Sequence, residues 1–204
     1  MSSGCHGHSS NTSWEKEKIR ALAKNLLHLF VQNPGTFTPG NFSSTLKLQI
    51  KNTLSTDYFD QMGGVFFTLY KNGALRGCMG NLSGSSPYRK SIPRQIHMAA
   101  LEDPRFPAVS QSELGELCGE FTFLSPLRDA NTWEDWTLGT HGIQITLDFS
   151  RAVFLPKVPI DHNWDKATTL QHLCRKAGLG PQAYLDPLAK FKIFEGETLD
   201  LGQL

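Results

Sequence analysis

The sequence predicts one domain that mixes β-hairpins with α-helices, and two observations carry that reading. A β-rich run, a tight-turn signal and a return strand are followed by a helical pattern, and the same succession recurs later in the chain. The 204 residues suit one substantial core, and 39% hydrophobic with 19% charged residues is ordinary for a globular chain.

Taken in order, residues 1–12 are rich in Ser, Gly and His and are expected to form a disordered tail, leaving 13–204 as a single domain. Thr12 with Glu15 makes a capping-box pattern, and Ile19, Leu22, Ala23, Leu26, Leu27 and Phe30 recur at helical spacing until Asn33-Pro34-Gly35 stops the run. Leu46, Leu48 and Ile50 alternate like a strand, whereas Leu46, Ile50 and Leu54 suit one helical face, so both assignments stay open. Residues 65–70 are a strand, Asn72-Gly73 a hairpin turn and 74–79 the return strand. A Gly/Ser loop over 80–86 leads to a helix over 87–101 with Ile92, Ile96, Ala99 and Ala100 on one face and Pro93 tolerated or kinking it. Further on, 120–124 is a strand, 143–147 and 152–155 a second hairpin, 165–177 a helix closed by Gly178, and 191–194 a last strand. An offset of 78 residues carries Thr68 onto Thr146, Ala74 onto Ala152, Ile92 onto Leu170 and Ile96 onto Cys174 without a gap. It also sets Arg76 against Phe154 and Cys78 against Pro156, so chemistry at those positions belongs to the first unit alone.

Charge and cysteine usage narrow the function classes. The 20 basic and 19 acidic residues are scattered, so no field favours nucleic acid or an anionic membrane. No stretch approaches the roughly 18 apolar residues of a membrane helix and no signal peptide opens the chain, so the expectation is a soluble, cytoplasmic protein. Cys5, Cys78, Cys118 and Cys174 are far apart with no CxxC pair, which predicts free thiols. HExxH, GxSxG and GxGxxG are all absent, and no cofactor is identified.

The chemistry concentrates in Leu75-Arg76-Gly77-Cys78-Met79-Gly80. Arg76 and Cys78 are two apart on a strand, hence on one face, and a guanidinium beside a thiol favours the reactive thiolate. Gly77 and Gly80 leave the backbone open to a ligand, and the hydroxyls of the following loop, Ser83 among them, stand before a helix start that carries Arg89 and Lys90, a pattern suited to anions. The alternative is a small buried cysteine whose glycines serve a turn. A thiol nucleophile needs a base and a group to orient it, for which His141 and Glu120 are the candidates. The same three residues can also hold zinc or iron, although the tight spacing of structural metal sites is missing. Asp103-Pro104-Arg105-Phe106 reads as a turn, with Arg105 tied to a carboxylate or clamping substrate and Phe106 in the core. Cys5-His6-Gly7-His8 is treated as incidental.

The strings Leu75-Arg76-Gly77-Cys78-Met79-Gly80, Asp103-Pro104-Arg105-Phe106, His141-Gly142-Ile143 and Phe154-Leu155-Pro156, in that order, resemble the AMMECR family. Met79 departs from it, because the family usually carries Ile there. The resemblance runs from about Trp14 to the last strands and implies an α+β fold on a curved, barrel-like β-sheet with packed helices, built from two hairpin-plus-helix repeats. It implies no established reaction. Prokaryotic members are similar to the A component of the AmmeMemoRadiSam system, whose other parts are a Memo-type protein and a radical SAM enzyme. Two expectations follow: a cysteine-dependent enzyme or enzyme subunit acting on a small anionic substrate, or a non-catalytic adaptor that docks one of those partners.

Overall fold

Both predicted hairpins form, and one long strand at the end of the chain joins them into a single sheet. The computed structural model describes residues 12–35, 42–82 and 84–204. Of the tail expected over residues 1–12, residues 1–11 with the Cys/His cluster lie outside the described residues, as does Ser83, while Thr12 opens the first helix. Helix α1 (Thr12–Gln32) is followed by α2 (Ser44–Thr53), the hairpin β1 (Gly64–Lys71) and β2 (Ala74–Asn81), and α3 (Tyr88–Leu101). Then come β3 (Leu117–Leu124), the short β4 (Arg128–Ala130), the hairpin β5 (His141–Leu147) and β6 (Ser150–Phe154), the single turn α4 (Val158–Asp161), α5 (Lys166–Lys176) and β7 (Lys190–Gln203).

The strands run in the order β2-β1-β3-β7-β5-β6, with β4 also on β7, and every pairing is antiparallel. The far half of β7 pairs β3 from Gly196 to Gln203, while its near half pairs β5 and β4. This strand is much longer than the 191–194 segment expected, because β7 serves both halves of the sheet. The result is a curled, half-barrel sheet with packed helices, the α+β architecture the sequence implied.

Two cores hold it together. Leu26, Leu27 and Phe30 of α1 and Ile92 and Ile96 of α3 pack on Phe67, Leu69 and Phe121 of the sheet. Leu170, Leu173 and Cys174 of α5 pack with Ile143, Ile145, Ile193 and Trp136. Each such side chain fully withdrawn from water stabilises the fold by about 1.5–3 kcal/mol. The ambiguous stretch is the helix α2, capped by Ser43 Oγ accepting from Leu46 N at 3.2 Å. Helical phasing buries Ile50 and Leu54 and leaves Leu48 in solvent, which a strand could not do. Helix α3 continues through Pro93.

The repeat is not gapless. Asn72 and Asp148 are the left-handed turn residues of the two hairpins, both at φ 52, and they stand 76 apart rather than 78. The helices do match at 78, with Ile92 and Leu170, and Ile96 and Cys174, all at 0% exposure. The second unit therefore carries two more residues between turn and helix, in the connection that includes α4.

Candidate functional site

Strand β2 lies at the edge of the sheet, and Arg76 interrupts its pairing. Leu69 opposes Gly77 while Tyr70 opposes Leu75, so Arg76 is the extra residue of a β-bulge. The bulge turns its side chain away from Cys78 and over the segment beyond α3. There Nε donates to Glu113 Oε1 at 2.9 Å, Nη2 to Oε2 at 3.1 Å and Nη1 to the Pro107 carbonyl at 2.9 Å. The Arg76 guanidinium, followed by the Ser110 backbone N–H, holds the Glu113 carboxyl well below the usual carboxylate range. Simple alternation thus misplaces Arg76: its hydrogen bonds go to an ion pair 12% and 17% exposed rather than to the thiol.

The two glycines have packing roles. A Cβ on Gly77 would stand 2.2 Å from the Ala99 carbonyl oxygen, so α3 occupies the space beside it. A Cβ on Gly80 would meet the Phe66 ring at the same distance.

Between them, Cys78 has its outward backbone held on both sides. Its N–H donates to Asp103 Oδ2 at 2.8 Å, and its carbonyl accepts from Arg105 Nη2 at 3.0 Å. Arg105 is also bidentate to Asp103, Nε to Oδ1 at 2.9 Å and Nη2 to Oδ2 at 2.7 Å. The Asp103–Arg105 pair takes the place of a neighbouring strand at the one residue where the edge carries the thiol. Asp103 is buried at 4% exposure and stays ionised: the Arg105 hydrogen bond, against desolvation and aided by the Cys78 and Arg105 N–H groups, holds its pKa far down. Phe106, expected in the core, is half-buried beneath the Arg105 guanidinium at 5.5 Å.

Because its N–H and C=O point outward, Cys78 forms a close, non-hydrogen-bonded pair with Thr68, whose hydroxyl contacts Sγ at 3.4 Å. Thr68 in turn pairs with Glu120, so Cys78, Thr68 and Glu120 make one row across β2, β1 and β3. Lys157, immediately after Phe154-Leu155-Pro156, reaches Glu120 with Nζ at 3.3 Å from Oε1. Tyr70 completes the group. Its phenol pKa is raised by burial and then by Glu120, Lys157 opposes this, and the Cys78 sulfur adds to it. For Lys157, burial pulls the ammonium pKa down, but Glu120 and Tyr70 more than reverse this and leave it raised.

His141 is elsewhere. Its strand β5 is separated from β2 by β1, β3 and β7, and its ring is held by the Thr137 N–H on Nδ1 at 3.1 Å and by Arg128 beside Nε2 at 3.3 Å. Among the described residues no three His, Cys, Asp or Glu side chains gather as a metal would need. The structure therefore places Cys78 and Glu120 in one row on either side of Thr68, sets Arg105 on the Cys78 backbone, and keeps Arg76 and His141 out of the row. Thr68, Tyr70, Lys157, Asp103 and Glu113 went unnoticed as site residues. The turn at Asn72-Gly73 offered a signal for Thr68 and Tyr70, since it sets which β1 residues face β2.

Two of the strings that carried the resemblance meet directly, the Cys78 strand and its Asp103–Arg105 clamp, and the lysine that follows a third, Phe154-Leu155-Pro156, reaches Glu120 in the same row, whereas His141-Gly142-Ile143 lies apart. Residues 41–199 match the AMMECR1 family model. The chain belongs to the AMMECR1 family. A Methanocella arvoryzae relative is 31% identical over 193 residues, covering 87% of this chain and 86% of its own. One from Methanocaldococcus jannaschii is 33% identical over 152 residues, covering 71% and 76%. The crystal structure of an uncharacterised Pyrococcus horikoshii protein superposes with a TM-score of 0.73 at 26% identity, covering 91% of this chain and 90% of that one. This AMMECR1-family chain has no described helix long and apolar enough to cross a membrane.

Proposed function

We propose that this AMMECR1-family protein is a cysteine-dependent enzyme, or the substrate-binding subunit of one, in which Cys78 meets a small anionic molecule on the sheet face shared with Thr68, Glu120 and Lys157. One observation carries the reading: the buried Asp103 carboxylate and the exposed Arg105 guanidinium that pairs with it grip both backbone polar groups of Cys78. Burying the Asp103 carboxylate is costly, and here it fixes the backbone of a residue whose thiol is half-exposed. Lys157 supplies a cation for a carboxylate or phosphate, and Glu120 is the carboxylate available as a general base to a substrate lying along the row. Arg76 and Arg105 then work through position rather than contact.

Native alkylation followed by mass spectrometry tests this, with the exposed Cys118 as internal reference and the buried Cys174 as the slow limit. Cys78 is expected to label faster than Cys118 despite lower exposure, and to favour iodoacetate over iodoacetamide more strongly than Cys118 does. Slower labelling than Cys118 with both reagents defeats the proposal. The adaptor reading draws on Leu75, 41% exposed beside the site. It expects capture of a Memo-type protein or radical SAM enzyme to survive Cys78→Ser and to be lost in Leu75→Glu.

A further inference from the structure

A second site lies between α2 and α3, beyond the far end of β2. A cavity of about 770 Å³ opens there, within the size range of small-molecule sites. Lys47 and Lys51 line it from α2, and Arg89, Lys90 and Arg94 from α3. No carboxylate is among the described lining residues.

This arrangement of charge is unfavourable by itself. Lys47 and Lys51 are four apart on one helix, as are Lys90 and Arg94 on the other, and like charges at that spacing repel. The first turn of α3 holds no acidic residue and two basic ones, opposite to what the helix dipole favours. Arg89 is tied to Asp60, but Lys47, Lys51, Lys90 and Arg94 have no carboxylate within ion-pair distance among the described residues. An independent observation points the same way. Gln95 lines the cavity at 2% exposure, and its Oε1 has no hydrogen-bond partner; the buried Nε of Arg89 has none either. Buried polar atoms left unmatched in this way mark a place where a polar ligand group is missing. Ile50, Pro93 and Met98 add an apolar wall.

We infer that this cavity binds a phosphorylated small molecule, its phosphate held by the cations of α2 and α3 with Arg89 Nε, an N–H or O–H of its organic body donating to Gln95 Oε1, and that body lying on Ile50, Pro93 and Met98. The site is separate from Cys78 and stands or falls independently of it.

The test uses the full chain at low ionic strength with two probes: 8-anilinonaphthalene-1-sulfonate, an anion with a planar apolar body, and inorganic pyrophosphate. The fluorescent probe is expected to bind and pyrophosphate to displace it. In Lys51→Glu/Arg94→Glu both affinities fall by at least about tenfold, from the loss of two attractions and gain of two repulsions. The melting temperature holds or rises, because each substitution turns a repelling pair into an attracting one. Cys78→Ser is expected to leave both affinities unchanged. The inference is overturned if pyrophosphate fails to displace the fluorophore, or if the double charge reversal binds both probes as tightly as the native chain. Displacement by a single-stranded oligonucleotide but not by pyrophosphate overturns it in favour of a nucleic-acid surface.

Discussion

Arg76 looks like a ligand residue in the linear sequence and acts as a structural one in the fold. Its guanidinium fills the bidentate site of Glu113 and two neighbouring carbonyls, so Arg76→Ala leaves a largely buried carboxylate without its partner. Breaking such a pair costs about 3 kcal/mol, to be read from urea unfolding. Arg76→Lys restores only part of this, since an ammonium cannot reproduce the fork. Asp103→Asn keeps the shape but weakens charge-assisted bonds that each contribute about 1.5–3 kcal/mol. The expected signature is local as well as global: faster amide exchange at Cys78, whose N–H it holds.

At the level of elements, the site depends on how closely α3 approaches β2. Gly77 permits that approach, and Gly77→Ala sets a methyl against the backbone carbonyl of Ala99 rather than against a side chain that can turn aside. The helix or the strand must shift, at a cost of about 1–3 kcal/mol, seen as a lower melting temperature. Because the shift moves the strand that carries Cys78, its alkylation rate should change together with stability. The bulge at Arg76 is the complementary device: it sends one side chain over the edge while Cys78 stays paired with Thr68.

For the whole molecule, acid is the expected weak point. Asp103 and Glu113 are held well below the usual carboxylate range, and burial, only partly offset by Glu102, lowers the pKa of His97. All three folded-state values are depressed relative to the unfolded chain. Their stabilisation is therefore fully present above the unfolded pKa values and is lost as pH falls below them. The urea midpoint should be flat near neutrality, begin to fall below about pH 6.5 with His97, and fall more steeply below about pH 4.5. Asp103→Asn should flatten the lower limb; an unchanged slope there would refute its assignment to this carboxylate.

Helices, hairpins and the chemical interest of Cys78 were legible because they rest on local signals: apolar spacing, the Asn72-Gly73 turn, and an unusual cluster of residue types. The choice of helix for α2 was not, since its short apolar pattern suits both periods until burial of Ile50 and Leu54 decides between them. Nor was the length of β7, which follows from having partners on both sides. The partners at the site were equally hidden. Arg76 meets Glu113 37 residues away, Cys78 meets Asp103 after 25, and Lys157 meets Glu120 across 37. The sequence by itself determined the first helix, the two hairpins and the helix after each, because those depend on neighbours along the chain. Only the tertiary structure decided that Arg76 belongs to an ion pair, that Asp103 and Arg105 clamp Cys78, and that five cations meet around a cavity, because a bulge and packing between distant segments leave no periodic trace.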